Sequence, residues 1–247
     1  MSALDIYFDT VMQRVASLRA KSSEGIQKVA DACVRSLLAG GAVHVYDTGH
    51  LVSRELINRA GGLAAFVPLA FTLTVDNPHP ARGSEADLRG DKPATGDLVR
   101  AALGQSNLRA GDVLILGSVS GVSPVVVELA LQAGAMQVVT VALTSFEYSD
   151  RLEPRHPSGK RLREVTALAL DNGAPFGDAM LSMEGLRHPC CPFSGLGAVL
   201  CMWALVAEVC ERMVQQGSDP TVYPSINLPN GPALYAEERK RVTERGF

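Results

Sequence analysis

Apolar residues along this chain alternate between helical and strand rhythms. Ile6, Phe8, Val11, Met12, Val15 and Leu18 fall at helical spacing. A second amphipathic stretch runs from Gly25 to Leu38 and is stopped by Gly40-Gly41, so two helices are predicted ahead of the first strand. That strand is Ala42-Val43-His44-Val45-Tyr46, with Asp47-Thr48-Gly49-His50 as its exit turn, then a helix from about Val52 to Arg59 ended by Gly61-Gly62. Further strands are predicted at Ala64–Leu69, Val113–Leu116, Ala135–Leu143 and Val165–Leu170, and helices at Asp97–Gln105, Val125–Ala133 and Gly197–Gln215. The strands at Val113 and Ala135 are continuous apolar runs, as expected of strands covered on both faces. Strand and helix alternate, which points to a parallel sheet with helices on both sides. Val75–Pro93 and Tyr148–Lys160 read as loops, and a short charged helix is expected near Ala236–Thr243.

The sharpest local signal is Ser118-Val119-Ser120-Gly121-Val122-Ser123-Pro124, which follows a buried strand and opens a helix. Proline suits a first helical position. The serines therefore stand where a helix N-terminus offers unpaired N–H groups and the positive end of its dipole. Gly121 lets the chain approach a ligand closely. One of these serines could instead be an ordinary N-cap, with the others solvated. Thr48-Gly49-His50 closes another strand with comparable residues, and in open parallel sheets ligands bind beyond the carboxyl ends of the strands near a switch in strand order. Neither turn is Gly-x-Gly-x-x-Gly or Gly-x-x-x-x-Gly-Lys-Ser/Thr, so a small phosphorylated ligand is expected in place of a dinucleotide or nucleoside triphosphate.

Composition narrows the function classes. With 247 residues and 47% hydrophobic content, one large domain is expected: residues 1–40 as N-terminal helices, 41–216 as the α/β core and 217–247 as a C-terminal extension. The net charge of −3 comes without a basic stripe, so nucleic acid is not an expected partner. Five cysteines without a Cys-x-x-Cys pair, and a polar start, fit reduced thiols in a cytoplasm. No apolar run is expected to reach bilayer length, so no membrane partner is expected. The vicinal Cys190-Cys191 reads as buried or loop thiols, because a bond between neighbours would be strained.

Taken with the two turns, Arg59-Ala60-Gly61-Gly62-Leu63, Arg155-His156-Pro157-Ser158-Gly159-Lys160-Arg161-Leu162 and Asp171-Asn172-Gly173-Ala174-Pro175-Phe176-Gly177-Asp178-Ala179 resemble the sugar isomerase (SIS) domain, in particular the bacterial UPF0309 type. The resemblance covers nearly the whole chain. It implies a three-layer αβα sandwich around a five-stranded parallel sheet in flavodoxin-like order. It also implies a phosphosugar pocket holding the phosphate at Ser118, Ser120, Gly121 and Ser123, and subunits paired as a homodimer or homotetramer so that a neighbour helps complete the site.

The catalytic residues of better-known relatives carry over incompletely. Aligned through Ala204-Leu205-Val206-Ala207-Glu208, the glutamate position of the hexulose-phosphate isomerases is Gly195. In the zinc-dependent heptose-phosphate isomerases a His and Glu lie one turn apart. Glu55 fits the glutamate, but Leu51 stands at the histidine position and no histidine lies between Phe193 and Phe247, so neither that metal nor a cofactor is expected. Aldose–ketose isomerisation requires a base beside the carbonyl carbon. Glu55 is the candidate, with an i,i+4 ion pair to Arg59 as the alternative. His50 would open the sugar ring or bind a hydroxyl, or else act as a cap. Thr48, Gly49, His156 and Asp178 are candidate substrate contacts, with Glu184 a further carboxylate. The plain alternatives are a solvated loop for His156 and a turn cap for Asp178. His44, within a strand, reads as a core or sheet-face residue. Metal-independent sugar-phosphate isomerisation is the expected function. A non-catalytic phosphosugar sensor, or a lyase or etherase using the same base, remains open.

Overall fold

The computed structural model describes residues 2–49, 53–72 and 95–247. His50, Leu51 and the expected loop Val75–Pro93 lie outside them.

The chain opens with one helix, α1 (Ala3–Leu38), where the apolar pattern predicts two. Ser2 begins it with a reciprocal capping box to Asp5. The polar stretch around Lys21–Gly25 reads as a break, yet each residue there has a helical use. Ser22 Oγ donates to Asp171 O at 2.9 Å, and Ser23 Oγ donates to Arg19 O one turn back. At Gly25 a Cβ would stand 3.2 Å from Leu170 Cδ2, so its absence lets the helix lie close on the sheet. Tertiary contact thus overrides weak local propensity.

Strand β1 (Val43–Asp47) and the short helix α2 (Ser53–Leu56) follow, then β2 (Phe66–Pro68), α3 (Thr95–Gly104), β3 (Val113–Gly117), α4 (Pro124–Ala135) and β4 (Val139–Thr144). Short helices α5 (Phe146–Asp150) and α6 (Leu162–Val165) precede β5 (Leu168–Asp171). β6 (Ala179–Leu181) and β7 (Cys190–Pro192) pair antiparallel, a hairpin too short to show in the sequence pattern. α7 (Ser194–Gln215) and α8 (Gly231–Arg245) complete the chain.

The five main strands form a parallel sheet in the order β2-β1-β3-β4-β5, the expected flavodoxin-like arrangement. Side chains alternate across it. Val43, Val45, Val113, Ile115, Val141, Leu143 and Leu170 face α1 and α7, while Leu114, Leu116 and Ala142 face α3 and α4. Leu114, Ile115 and Leu116 have no exposed surface, and each contributes about 1.5–3 kcal/mol by burial. α7 corrects one expectation: by length and composition it is apolar enough to cross a membrane, although Ala198, Cys201, Met202, Leu205 and Val209 are buried in the core shared with α1.

Candidate ligand site at the carboxyl ends of β1 and β3

The strand order reverses at β1: the chain moves outward to β2, then returns to β3 on the other side. Parallel pairing sets Asp47 opposite Gly117. Both Thr48 N and Thr48 Oγ1 donate to Gly117 O at 3.2 Å, which ties the first exit turn to the residue before Ser118. Gly49 adopts φ +105° and donates its N–H to Asp47 Oδ1. The structure therefore brings together two of the turns singled out from sequence.

The serine turn is held from below. Ser145 N and Thr144 Oγ1 donate to Val119 O, both at 3.0 Å, and Leu162 N donates to Gly121 O at 2.8 Å. Gly121 adopts φ +63°, and a Cβ there would lie 2.9 Å from Thr144 Oγ1 and 3.3 Å from Ser149 Oγ. Ser123 is the N-cap of α4 by position, but its side chain makes no capping bond, and Pro124 begins the helix. Among the described residues, no protein group is bonded to the Oγ of Ser118, Ser120 or Ser123, nor accepts from the N–H of Ser120, Gly121 or Val122. A 12-residue helix thus begins at a braced turn whose three hydroxyls and the N–H groups of Ser120, Gly121 and Val122 have no partner among the described residues. Such a turn suits an anion with several acceptor oxygens. Thr144, which is bonded to the turn, and Ser149, which packs beneath Gly121, lie beyond the serine motif and carry no signal in its spacing.

The other candidates occupy different places. Glu55 lies on α2, half exposed and ion-paired with Arg59, as the i,i+4 alternative anticipates. His156 is not solvated: its side chain is only 8% exposed. Its Nε2 lies 2.7 Å from Glu128 Oε2 on α4, and its Nδ1 accepts from Ser158 N at 3.1 Å. Glu128 also accepts from Gln132 Nε2, which bonds Gly96 O on α3. The Gln132 bond, and next the His156 bond, hold the Glu128 carboxyl below its ordinary range.

Asp178, in the left-handed region at φ +67°, caps α7. Its Oδ1 accepts from Phe193 N and Ser194 N, and its Oδ2 accepts from Ser194 Oγ at 2.7 Å. Nearby, α7 begins so close to the loop after β5 that a Cβ on Gly197 would stand 1.9 Å from Asn172 O. Glu184 is exposed. His44 is buried, as its strand position implies, with Nε2 3.2 Å from Asp112 Oδ2. Asp112 also accepts from Ala42 N and Arg109 N. This group borders a cavity of about 1270 Å³ between β1, β2 and α3, which none of the residues Ser118–Ser123 lines.

Comparison with known proteins agrees with this architecture. A family model described as the SIS domain matches residues 6–145, more than half of the chain. The UPF0309 protein of Brucella anthropi is 32% identical over 244 residues, 98% of this chain and 96% of its own. The UPF0309 protein of Shouchella clausii is 29% identical over 235 residues, 94% of each chain. A phosphoheptose isomerase structure from Francisella tularensis superposes with a TM-score of 0.51 at 16% identity, covering 85% of this chain and all of that one, which is a likeness of fold. The chain belongs to the SIS-domain family and, within it, to the UPF0309 proteins.

Proposed function

We propose that this protein binds a small sugar phosphate, with the phosphate against Ser118, Ser120, Gly121 and Ser123 and the carbon chain directed toward Thr48 and Gly49. The observation that carries this reading is the braced turn at the N-terminus of α4, with its uncommitted hydroxyls and N–H groups beside the strand-order switch. Neutral hydroxyl and N–H donors and the positive end of the helix dipole favour a phosphate dianion at this turn. SIS-family membership and the name of the phosphoheptose isomerase neighbour point the same way.

Within this reading, Glu55 is the base for aldose–ketose isomerisation. Its carboxylate takes the proton from the carbon beside the carbonyl and returns it to the former carbonyl carbon, the hydroxyl proton of the first carbon passes to the former carbonyl oxygen, and His50 serves ring opening or a hydroxyl. Arg59, paired with Glu55, would have to release or share it as substrate arrives. That pairing and the glycine at position 195 favour a second reading, in which the protein senses the phosphosugar without converting it. Incubation with candidate sugar phosphates in deuterated water separates the two. Catalysis incorporates deuterium at the carbon beside the carbonyl and loses it in Glu55→Gln, whereas a sensor binds ligand and incorporates none.

Self-association is part of the proposal. Leu4, Phe8, Val11 and Val15 extend the apolar stripe that is buried from Leu18 onward, and Leu4, Phe8 and Met12 are exposed. Asp5 and Asp9 lie at one end of this segment and the exposed Arg19 at the other, whereas Arg14 is turned onto Gly173 O and the Phe193 ring. An antiparallel partner helix would cover the stripe and match the charges, giving a two-fold pair.

A further inference from the structure

Cys190 and Cys191 occupy β7, one strand of the hairpin that leads into α7. Their thiols meet: Cys191 Sγ donates to Cys190 Sγ at 3.7 Å. Both residues are partly exposed, whereas Cys33 and Cys201 are buried. Cys191 also sits at φ +61°, a left-handed conformation that residues with a Cβ rarely hold without compensation. Cys190 and Pro192 pair with Leu181 and Ala179 across the hairpin, so the strained residue stands between two fixed neighbours. Two residues further on, the N–H groups of Phe193 and Ser194 are taken by Asp178.

We infer that Cys190 and Cys191 form a reversible vicinal dithiol/disulfide couple, driven by small-molecule disulfides and coupled to the capped start of α7. One cysteine thiolate attacks a sulfur of the small disulfide and expels a thiolate, leaving a mixed disulfide. The other attacks the protein sulfur of that intermediate, closes the Cys190–Cys191 bond and expels the second small thiolate. The protein loses two electrons and two protons, and the small disulfide becomes two thiols.

Adjacent Cα atoms are about 3.8 Å apart, short of the usual disulfide range of about 4.4–6.8 Å. The bond therefore stores strain and is easily reduced, which suits a reversible couple and not a structural staple. Selectivity follows from the surroundings. Burial pushes the Cys33 and Cys201 thiols up to about 12, and burial also raises Cys210, so these remain poor nucleophiles. The hydrogen bond that Cys191 donates to Cys190 raises the Cys191 thiol as well, so closure accelerates with increasing pH. Closing the ring must rotate the backbone at Cys191 and shift Pro192, which loosens the Asp178 cap.

The test is titration of the full-length protein with defined ratios of oxidised to reduced glutathione, native alkylation and intact mass. The wild type is expected to lose two alkylatable thiols together, with a peptide linked at 190–191 that dithiothreitol reopens, and its oxidised form is expected to melt lower. Cys190→Ser should instead retain a single glutathione and show a melting shift unlike that of the wild type. Cys191→Gly, which accepts the positive φ and so guards against misfolding, should behave as Cys190→Ser does. The proposal is overturned if both thiols stay alkylatable at every ratio, if the wild type carries two glutathiones without an internal bond, or if oxidation leaves the melting temperature unchanged.

Discussion

Gly121→Ala places a methyl group inside the bracing of the serine turn. At φ +63° the added Cβ carries the left-handed penalty of about 1–2 kcal/mol for an L-residue. It would also stand 2.9 Å from Thr144 Oγ1, 3.3 Å from Ser149 Oγ and 3.5 Å from Leu162 Cβ. Thr144 Oγ1 is bonded to Val119 O at 3.0 Å, so yielding costs that bond, about 1 kcal/mol more. The sum is a destabilisation of about 2–3 kcal/mol. Gly159→Ala separates the two terms: Gly159 has φ +68° and nothing within 4 Å of its would-be Cβ, so only the backbone penalty applies. Urea unfolding of both variants should place Gly121→Ala below Gly159→Ala by about 1 kcal/mol. Equal losses would refute the claim that the turn is braced from beneath, because the methyl group would then have found room.

Asp178→Ala strips three acceptor contacts from the start of α7 and should lower stability by about 1–2 kcal/mol in urea. Because Glu128 is held below its ordinary range when folded, it adds stability above that range, and this is lost as pH falls through its folded value. Glu128→Gln should therefore flatten the acid limb of thermal stability below about pH 4.5 and leave the neutral plateau lower. Phe8→Glu, on the exposed part of α1, should convert a dimeric species to monomer in light scattering without altering helix content. An unchanged mass would remove α1 from the interface.

What the sequence disclosed follows from how locally each feature is encoded. β3 and its serine turn could be read because a run of buried aliphatics, three hydroxyls, a glycine and a first-turn proline act within a dozen residues. The parallel sheet could be read because fully covered strands lack polar alternation. The continuity of α1 could not, since it depends on Ser22 meeting Asp171 and Gly25 meeting Leu170 across long sequence separations. His156 lies in a loop, as expected, but read as solvated because its partner, Glu128, lies 28 positions away. Asp178 was noticed for its glycine-rich surroundings, but its caps are on residues 193 and 194, which no spacing rule connects to it. Short strands such as β6 and β7 contain too few residues for a period to emerge.

The most direct measurement is calorimetric titration of the protein with a panel of aldose and ketose phosphates, each beside its unphosphorylated sugar, repeated in Ser120→Ala/Ser123→Ala. The account predicts saturable binding of at least one phosphorylated member, no detectable binding of its parent sugar, and an affinity loss of about tenfold or more in the double variant as two charge-assisted hydrogen bonds are lost. Absence of binding across the panel, equal binding of phosphorylated and parent sugars, or undiminished affinity in the double variant would contradict it.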